Sequence, residues 1–426
     1  MEPLSDVPVS PLPPDRFGAV LDDDGWRRWV DVIERGQRLL GSRVIWNVNS
    51  TARGGGVAEM LQSLVAYVRG AGIDARWVVL EGNEDFFLVT KRIHNHLHGV
   101  PGDGGPLGES EREVYERALE AIGERLSELV QPDDVVLLHD PQTAGLIPAV
   151  KSTGARAIWR CHVGVDLPNE LSRRAWQFLT PYVSEAEGCV FSRGAYAWEG
   201  LRSDRIAIIP PSIDAFSPKN QELDPDAVEA ILAAAGVVRG STGGHPHFTR
   251  EDGTPARVDR TAEMFEEEGL EPGTPFALQV SRWDRLKDPV GVIRGFAEYV
   301  APRSDAHLIY AGPAVEAVSD DPEGREVLNE ARRLWSGLPG DVRPRIHLAC
   351  LPMEDAQENA AIVNALQRKA DVVVQKSLAE GFGLTVAEAM WKARPVVASR
   401  IGGIQDQIVD GVSGMLIDPS DVAAYG

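Results

Sequence analysis

Two glutamates, Glu380 and Glu388, lie on either side of a glycine turn and a predicted helix start. The turn follows a predicted strand, so Gly383 and the first amides of the helix, at Leu384 and Thr385, lie at a strand end. Free amides at a helix N-terminus favour anionic groups. A carboxylate in the turn suits a sugar hydroxyl, and one on the helix suits a ribose diol. The pattern predicts a site for one ligand that carries all three groups.

Paired glutamates are also typical of glycoside hydrolases, in which they act as acid and nucleophile. A cationic loop after the predicted strand 276–280 argues against that reaction, because it brings Arg282 and Lys287 to a strand end of an acidic protein. A guanidinium fork and a mobile ammonium suit a diphosphate leaving group, which hydrolysis does not need. The alternative is internal pairing of these cations with Asp284 and Asp288.

A further glycine turn, Gly54-Gly55-Gly56, follows the predicted strand 44–48 and opens a helix. Bare amides in such a turn suit a phosphate or a sugar, which makes Gly55 and Gly56 candidate binding residues. The dinucleotide fingerprint G-x-G-x-x-G is absent, because Glu59 occupies its third glycine position. The alternative is a tight strand-to-helix turn without a ligand.

His162 follows the predicted strand 157–159 and is a candidate site residue, although a lone histidine beside an apolar strand is often structural. No H-x-x-x-H pair or Cys/His cluster accompanies it, so no metal site is predicted. The stretch Asp22-Asp23-Asp24 contains D-x-D, but it precedes the first sheet strand. It is predicted to cap the helix that begins near Trp26.

The composition excludes several classes of partner. The chain has 426 residues, with 43 Lys and Arg against 64 Asp and Glu, giving a net charge of −21. A field of that sign repels nucleic acid and anionic membranes. Three widely spaced cysteines and the lack of an export signal or membrane span predict a cytoplasmic protein. The triplet Asn49-Ser50-Thr51 matches a glycosylation acceptor, which needs another explanation without a secretory route.

Apolar strands alternate with amphipathic helices in two separate series, which is typical of parallel sheets with crossover helices. The predicted fold is α/β, with two doubly wound domains and a ligand site in the cleft where strand ends meet. The predicted strands lie at 44–48, 77–80, 135–138, 157–159, 189–191, 206–209, 276–280, 307–310, 346–348, 372–374 and 396–398. The predicted helices lie at 26–40, 57–68, 85–98, 111–130, 170–183, 289–301, 323–336, 355–369 and 384–393.

The domain organisation predicted from these series begins with an N-terminal arm at 1–42 and a first domain at 43–235. Residues 236–274 are rich in Gly, Pro, Thr and charge, and are interpreted as a linker or insertion. The second domain covers 275–426. Its last predicted helix is just opening when the chain stops, so a truncated domain is expected.

Taken together, these residues resemble the retaining nucleotide-sugar glycosyltransferases of family four, which have the GT-B fold of two facing Rossmann-like domains. The resemblance extends from about residue 43 to the end. The motifs most similar to the trehalose-forming subgroup lie at 47–51, 54–59, 74–77, 139–142, 159–162 and 210–214.

This resemblance implies transfer of glucose from ADP-, UDP- or GDP-glucose to the anomeric hydroxyl of free glucose, giving α,α-trehalose with retention. The implied roles are neutralisation of the diphosphate by Arg282, Lys287 and the amides of Leu384 and Thr385, ribose binding by Glu388, and binding of the donor glucose by Glu380 and His162. The residues predicted to be catalytic are His162, Arg282, Lys287 and Glu380, and Gly55, Gly56 and Gly383 are further predicted donor-binding residues. No cofactor or metal is required, because the cations and the helix start supply the positive field. The partners are the two small-molecule substrates, and a homodimer is left open.

Acceptor contacts are expected from the first domain. Asp140 and Gln142 follow a predicted strand and Lys91 lies on a nearby helix, with local capping or ion pairing as the alternative for each. Two other functions compete with the synthase. One is a retaining trehalose phosphorylase, which has no ribose for Glu388 to bind, and the other is a noncatalytic sugar or nucleotide sensor.

Overall fold

The computed structural model describes residues 3–52, 56–240, 243–315 and 323–426. The chain divides into two compact units, Met1–Pro211 and Ser212–Gly426, and each has its own hydrophobic core. Each unit is built on a seven-stranded, mostly parallel sheet with helices in the crossovers. The prediction of two doubly wound α/β domains is confirmed.

The first unit alternates strands with helices along the chain. Its strands are β1 (Leu4–Asp6), β2 (Ile45–Asn49), β3 (Ala75–Leu80), β4 (Val135–His139), β5 (Arg156–Cys161), β6 (Gly188–Phe191) and β7 (Ile206–Ile208). Its helices are α1 (Asp23–Leu40), α2 (Gly56–Gly70), α3 (Glu84–Leu97), α4 (Glu109–Leu129), α5 (Asp140–Thr143), α6 (Ile147–Ser152) and α7 (Glu170–Val183).

The first sheet has the order β1-β3-β2-β4-β5-β6-β7, and β1 alone pairs antiparallel. The central strands are apolar because helices cover both faces of a parallel sheet. β2 and β4 nevertheless end in polar residues, Asn49 and His139, which are buried. Asn49 accepts a hydrogen bond from the Trp77 indole at 2.7 Å, which explains the asparagine of the glycosylation-like triplet as a structural residue.

The second unit repeats this plan. Its strands are β8 (His247–Thr249), β9 (Pro255–Arg257), β10 (Glu263–Phe265), β11 (Phe276–Val280), β12 (His307–Pro313), β13 (Ile346–Leu351), β14 (Val372–Gln375), β15 (Val396–Ser399) and β16 (Met415–Ile417). Its helices are α8 (Pro225–Ala234), α9 (Pro289–Gly295), α10 (Gly324–Ser336), α11 (Ala356–Lys369), α12 (Leu384–Trp391), α13 (Ile404–Gln407) and α14 (Val422–Tyr425). The sheet order is β10-β13-β12-β11-β14-β15-β16.

The units divide after Pro211, earlier than the boundary predicted at 235. Residues 212–235 belong to the second unit because α8 packs against α11. The stretch 236–274 is also part of this unit and is not a free linker. β8 and β9 form an antiparallel hairpin, and β10 adds an antiparallel edge strand to β13.

Polar contacts attach this stretch to the N-terminus of α11. Arg250 forms an ion pair with Asp355 at 2.6 Å, and Asp355 caps α11. Glu358 accepts the backbone amides of Asp259 and Arg260 at 2.6 and 2.7 Å, and also pairs with the Arg260 guanidinium. These polar contacts fix the stretch 236–274 to α11, although its sequence has no apolar periodicity.

The predicted N-terminal arm is likewise part of a unit, because β1 joins the first sheet. The predicted cap at Asp22 is confirmed, since its carboxylate accepts the Gly25 amide at 2.7 Å. α1 is held by the Trp29 indole, which donates to the Pro14 carbonyl at 2.8 Å. None of the helices in the described ranges combines the length and the apolar character that crossing a membrane requires.

Candidate functional site

The strand order reverses between β2 and β4 in the first sheet and between β11 and β14 in the second. In open α/β sheets, ligands bind beyond the carboxyl ends of the strands at such a reversal. Arg282 and Lys287 follow β11, and Glu380 follows β14. The predicted donor residues of the second unit therefore lie on both sides of its reversal.

Lys287 and Glu380 form an ion pair, with 2.6 Å between Nζ and Oε2. Their side chains are 17% and 13% exposed, so the pair is shielded from water. Gln375, the last residue of β14, donates a second hydrogen bond to Glu380 Oε2 at 3.4 Å. The structure thus brings together a cation from one crossover and a carboxylate from another.

The other cations of this loop differ in their partners. Arg282 lies 3.6 Å from Asp284, so the internal pairing considered from the sequence is present at this residue. Asp284 also accepts the Leu286 amide at 2.7 Å and thereby shapes the turn. Arg285 points away and pairs with acids preceding and within α10, namely Glu323, Glu326 and Glu330. Arg285 is therefore not a site residue.

Asp288 does not pair with Lys287, contrary to the alternative drawn from the sequence. Its carboxylate forms an ion pair with Lys376, a buried lysine that also donates to the Pro419 carbonyl at 3.1 Å. Asp288 has a φ of +49° and caps α9 by accepting the Gly291 amide at 3.0 Å. This ion pair between Asp288 and Lys376 fixes the end of the cationic loop. Lys287 pairs with Glu380 and not with Asp288.

The glycine turn before α12 requires its glycine. Gly383 has a φ of +84°, and a Cβ atom there would lie 2.8 Å from Ile404. The Gln407 side chain donates to the carbonyls of Phe382 and Gly383 at 2.6 and 3.3 Å, which holds the turn closed. The start of α12 is therefore a rigid part of the site.

α12 presents the amides of Leu384 and Thr385 at its N-terminus, and within the described ranges no group accepts a hydrogen bond from either. These amides remain suited to an anion. Glu388, one turn further, is buried. Its carboxylate accepts from Gln367 at 3.2 Å and lies 3.8 Å from the Lys219 amine. Glu388 is thus more enclosed than a solvent-facing helix acid.

In the first unit, His162 follows β5 and belongs to a chain of side chains. Its Nε2 lies 3.2 Å from His139 Nδ1, and His139 Nε2 lies 3.2 Å from Asn47 Oδ1. The two rings are nearly parallel, with centroids 5.5 Å apart. Asn47 in turn donates through Nδ2 to the Arg76 carbonyl at 3.5 Å.

These contacts fix the protonation of both histidines. Burial lowers the pKa of His139 to about 3 and that of His162 well below its ordinary value, so both are neutral. Because Asn47 Oδ1 only accepts, His139 carries its proton on Nε2 and accepts at Nδ1 from His162 Nε2–H. His162 is left with an unprotonated Nδ1, which can accept a hydrogen bond from a hydroxyl.

The predicted acceptor residues lie on α5 and α3. Asp140 has a φ of +64° and accepts the His162 amide at 2.8 Å. Burial raises the pKa of Asp140 to about 7, with the hydrogen bond from that amide opposing the shift. Gln142 is a partly buried residue of the same short helix. α5 packs against α3, which carries Lys91, so the structure places the three on adjacent elements.

The structure describes the glycine turn after β2 only in part. Gly54 and Gly55 lie outside the described residues, and Gly56 is the first residue of α2. Within the described ranges, no three His, Cys, Asp or Glu side chains lie close enough together to hold a metal ion.

Comparison with known proteins identifies the family. The family model described as trehalose synthase, N-terminal domain, matches residues 47–198, and the model for glycosyl transferases group 1 matches residues 356–426. A trehalose synthase from Rubrobacter xylanophilus is 37% identical over 396 residues, covering 92% of this chain and 83% of the relative. The chain belongs to the trehalose synthase family of glycosyltransferases.

Other comparisons bear on the fold and on a related activity. The crystal structure of an α,α-trehalose-phosphate synthase (UDP-forming) from Burkholderia vietnamiensis matches with a TM-score of 0.61 at 15% identity, covering 90% of this chain and 89% of that one. The predicted GT-B fold is confirmed. A trehalose phosphorylase from Pleurotus pulmonarius is 24% identical over 418 residues, covering 92% of this chain and 52% of that protein.

Several residues at the site of this trehalose synthase family member were not predicted from its sequence. His139 orients the predicted site residue His162 through a hydrogen bond, and Asn47 orients His139. Lys376 forms an ion pair with Asp288, the residue that follows Lys287 in the cationic loop. The sequence carries a signal for His139 and Lys376, since each lies at or just after the carboxyl end of an apolar strand, whereas Asn47 lies in the middle of β2. The contacts of Gln367 and Lys219 with Glu388 join distant parts of the chain and have no local signal.

Proposed function

We propose that this trehalose synthase family member transfers glucose from a nucleoside diphosphate glucose to the anomeric hydroxyl of free glucose, forming α,α-trehalose with retention. The proposal includes ADP-, UDP- and GDP-glucose as donors. The observation that carries it is the Lys287–Glu380 ion pair at 2.6 Å. The pair supplies a cation for a leaving diphosphate and a carboxylate for sugar hydroxyls within one hydrogen-bond length.

In the proposed reaction, negative charge grows on the diphosphate as the glycosidic bond breaks. Lys287, Arg282 and the N-terminal amides of α12 offset that charge, and stabilising it in the transition state raises the rate. The acceptor oxygen forms the new bond to the anomeric carbon, and an oxygen of the leaving phosphate takes the acceptor's proton. The reaction therefore needs no protein nucleophile. The cations offset the charge on the diphosphate, for which other transferases use a metal ion.

The first unit supplies hydroxyl-binding groups in this proposal. The unprotonated Nδ1 of His162 accepts from the C6 hydroxyl of the donor glucose. Asp140, which is fixed by the His162 amide at 2.8 Å, binds the acceptor together with Gln142 and Lys91. Both His162 and its partner His139 stay neutral through the physiological pH range, because burial lowers the pKa of each.

A retaining trehalose phosphorylase is the second candidate function. It is favoured by the burial of Glu388, which already accepts from Gln367 at 3.2 Å and lies close to Lys219. A ribose would have to share or replace these contacts, and a phosphorylase has no ribose to bind.

Calorimetry of a Glu388 variant separates the two. If Glu388 binds ribose, Glu388→Ala weakens the binding of a nucleoside diphosphate, and inorganic phosphate binds as it does to the parent protein. Equal diphosphate binding by the variant and the parent would contradict the ribose role and favour the phosphorylase.

Product analysis tests the reaction itself. Proton NMR of the protein incubated with each nucleotide-glucose and glucose, in chelator-treated and phosphate-free buffer, is expected to show α,α-trehalose. Release of glucose alone would indicate a hydrolase. Formation of glucose 1-phosphate from trehalose and phosphate would indicate the phosphorylase, and nucleotide binding without any product would indicate a sensor.

A further inference from the structure

Arg160 is a buried cation that the proposed reaction does not use. It lies on β5 between Trp159 and Cys161, which face the opposite side of the sheet, and it is 7% exposed. Within the part of the chain that the structure describes, its guanidinium forms no hydrogen bond or ion pair, and its Nε is buried without an acceptor.

A second unsatisfied group lies at the end of the neighbouring strand. Arg160 is paired in register with His139 of β4 and Val190 of β6. Ser192 follows β6 directly, two residues after Val190, and two residues along a strand return a side chain to the same face. The Ser192 hydroxyl is buried and, within the described ranges, has no hydrogen-bond partner.

The protein around Arg160 does not neutralise it. His139 and His162 are uncharged, and Asp140 acts on the guanidinium only at longer range, without an ion pair in the described structure. Buried polar groups in folded proteins are normally paired, and an arginine stays charged in any protein environment. An acceptor that brings its own negative charge would satisfy Arg160.

We propose that Arg160 and Ser192 form a phosphate-binding subsite at the carboxyl ends of β5 and β6. A guanidinium fork matches the oxygens of a phosphate in two parallel hydrogen bonds, and a hydroxyl donates a further one. A sugar hydroxyl alone leaves the buried charge uncompensated. The phosphate can be inorganic phosphate, the diphosphate of a nucleotide, or the phosphate of a phosphorylated sugar acceptor.

The subsite lies in the first unit, whereas the cations of the proposed donor site lie in the second. It rests on the proposed function only in that it adds a phosphate contact near Asp140, which is proposed to bind the acceptor, and near His162, which is proposed to bind the donor glucose. The subsite is tested by ligand binding and the proposed reaction by product formation. A negative result in one assay is therefore distinct from a negative result in the other.

Calorimetric titration of the full chain with inorganic phosphate, ADP and glucose 6-phosphate tests the subsite, comparing wild type with Arg160→Met. Loss of a charge-assisted contact is expected to weaken at least one of the three roughly 10- to 100-fold. The ligand that is weakened identifies the source of the phosphate. Arg156→Met is the matched control, because Arg156 is an exposed arginine at the start of the same strand, and its affinities stay at the wild-type values.

Equal affinities of Arg160→Met and wild type for all three ligands would overturn the proposal. Circular dichroism establishes that Arg160→Met is folded. If it is not, Ser192→Ala replaces it, with a smaller loss expected for at least one of the three ligands, and unchanged binding of all three by that variant would overturn the proposal as well. The trehalose assay on the wild type is run separately, so an inactive protein does not affect this result.

Discussion

Lys287 and Glu380 are the residues on which the proposed chemistry depends most directly. Both were predicted from the sequence, because a cationic loop in an acidic protein and a glycine turn between two glutamates are local signals. Their ion pair was not, because it joins crossovers 93 residues apart. The same holds for Lys376 and Asp288, which are 88 residues apart. Residue types at strand ends are visible in a sequence, but their pairing is fixed only by the folded sheet.

Replacement of Lys287 is expected to slow the chemical step. Lys287→Ala removes a cation from the leaving group, where a charge-assisted hydrogen bond contributes roughly 1.5–3 kcal/mol, or on the order of 10- to 100-fold in rate. The measurement is the rate constant in a single turnover with saturating donor.

Arg285 offers a matched control within the same loop. It is a cation two residues away whose guanidinium is held by Glu323, Glu326 and Glu330. Arg285→Ala should therefore keep the wild-type rate constant. A normal rate constant in Lys287→Ala would remove Lys287 from the leaving-group site.

The buried carboxyl of Asp140 is expected to lower the free energy of unfolding at neutral pH. Burial raises its pKa to about 7 from an ordinary value of 3.8. Between these values the folded state keeps a proton that the unfolded chain has lost, so stability falls as the pH rises through this window and is level above it. Asp140→Asn removes the effect, keeps an acceptor for the His162 amide and tolerates a positive φ.

Thermal unfolding at several pH values checks this expectation. The Tm advantage of Asp140→Asn over wild type should be small near about pH 4 and should grow towards about pH 7. Acceptor binding should weaken in the same variant, because an amide replaces the carboxylate. A Tm difference that is independent of pH would show that Asp140 titrates normally in the folded protein.

Among the elements, helices with strong local signals were predicted well. α7 has the predicted bounds, Glu170–Val183, because Asn169 caps it and its apolar positions keep a helical spacing. α9 ends at Gly295, earlier than the predicted 301, and continues as a π-helical turn to Val300. The stretch 236–274 was not recognised as structured, because its contacts are polar and reach across about 100 residues to α11, as in the 99-residue separation of Asp259 and Glu358.

The attachment of that stretch to α11 can be measured through Arg250. Its ion pair holds the pKa of Asp355 at about 2, below the ordinary 3.8. This stabilisation is complete above pH 3.8 and is lost as the pH falls through about 2. Arg250→Met should lower the free energy of unfolding by about 1 kcal/mol at neutral pH, and by less towards pH 2.

Arg257 is the control for this element, because its pair with Asp259 is exposed. Arg257→Met should change the free energy of unfolding by less than about 0.5 kcal/mol at any pH. Denaturant unfolding provides both values. An Arg250→Met effect no larger than that of Arg257→Met would mean that the ion pair does not hold the stretch in place.

For the whole molecule, the two series of strands and helices predicted the two units, because each series is a local pattern. The last predicted strand of the first series, 206–209, ends just before the division after Pro211. Residues 212–235 were nevertheless assigned to the first domain, because α8 belongs to the second unit only through its packing on α11, a much later helix. The side chains proposed to bind the diphosphate and the ribose, Arg282, Lys287 and Glu388, lie in the second unit. Glu380, proposed for the donor glucose, also lies there, whereas His162, proposed for the same sugar, lies in the first unit.

This distribution predicts where a nucleotide protects the backbone. Addition of a nucleoside diphosphate should slow hydrogen exchange at 281–288 and 380–388, because a ligand that binds the native state suppresses local opening around its site. Mass spectrometry of peptides from both units measures the effect. Protection confined to peptides of the first unit would contradict the donor assignment.

The short strand β1 has a consequence for the protein's behaviour at high concentration. β1 covers β3, whose last four residues are Trp-Val-Val-Leu, and Val7 extends the cover by donating to the Trp77 carbonyl at 2.9 Å. An apolar strand with an open edge recruits strands from other molecules and starts aggregation. With Asp6 and Pro8, the covering segment offers a poor edge for a further strand. We therefore expect that loss of this short covering segment would open the edge of β3 and promote association of the folded protein in concentrated solution.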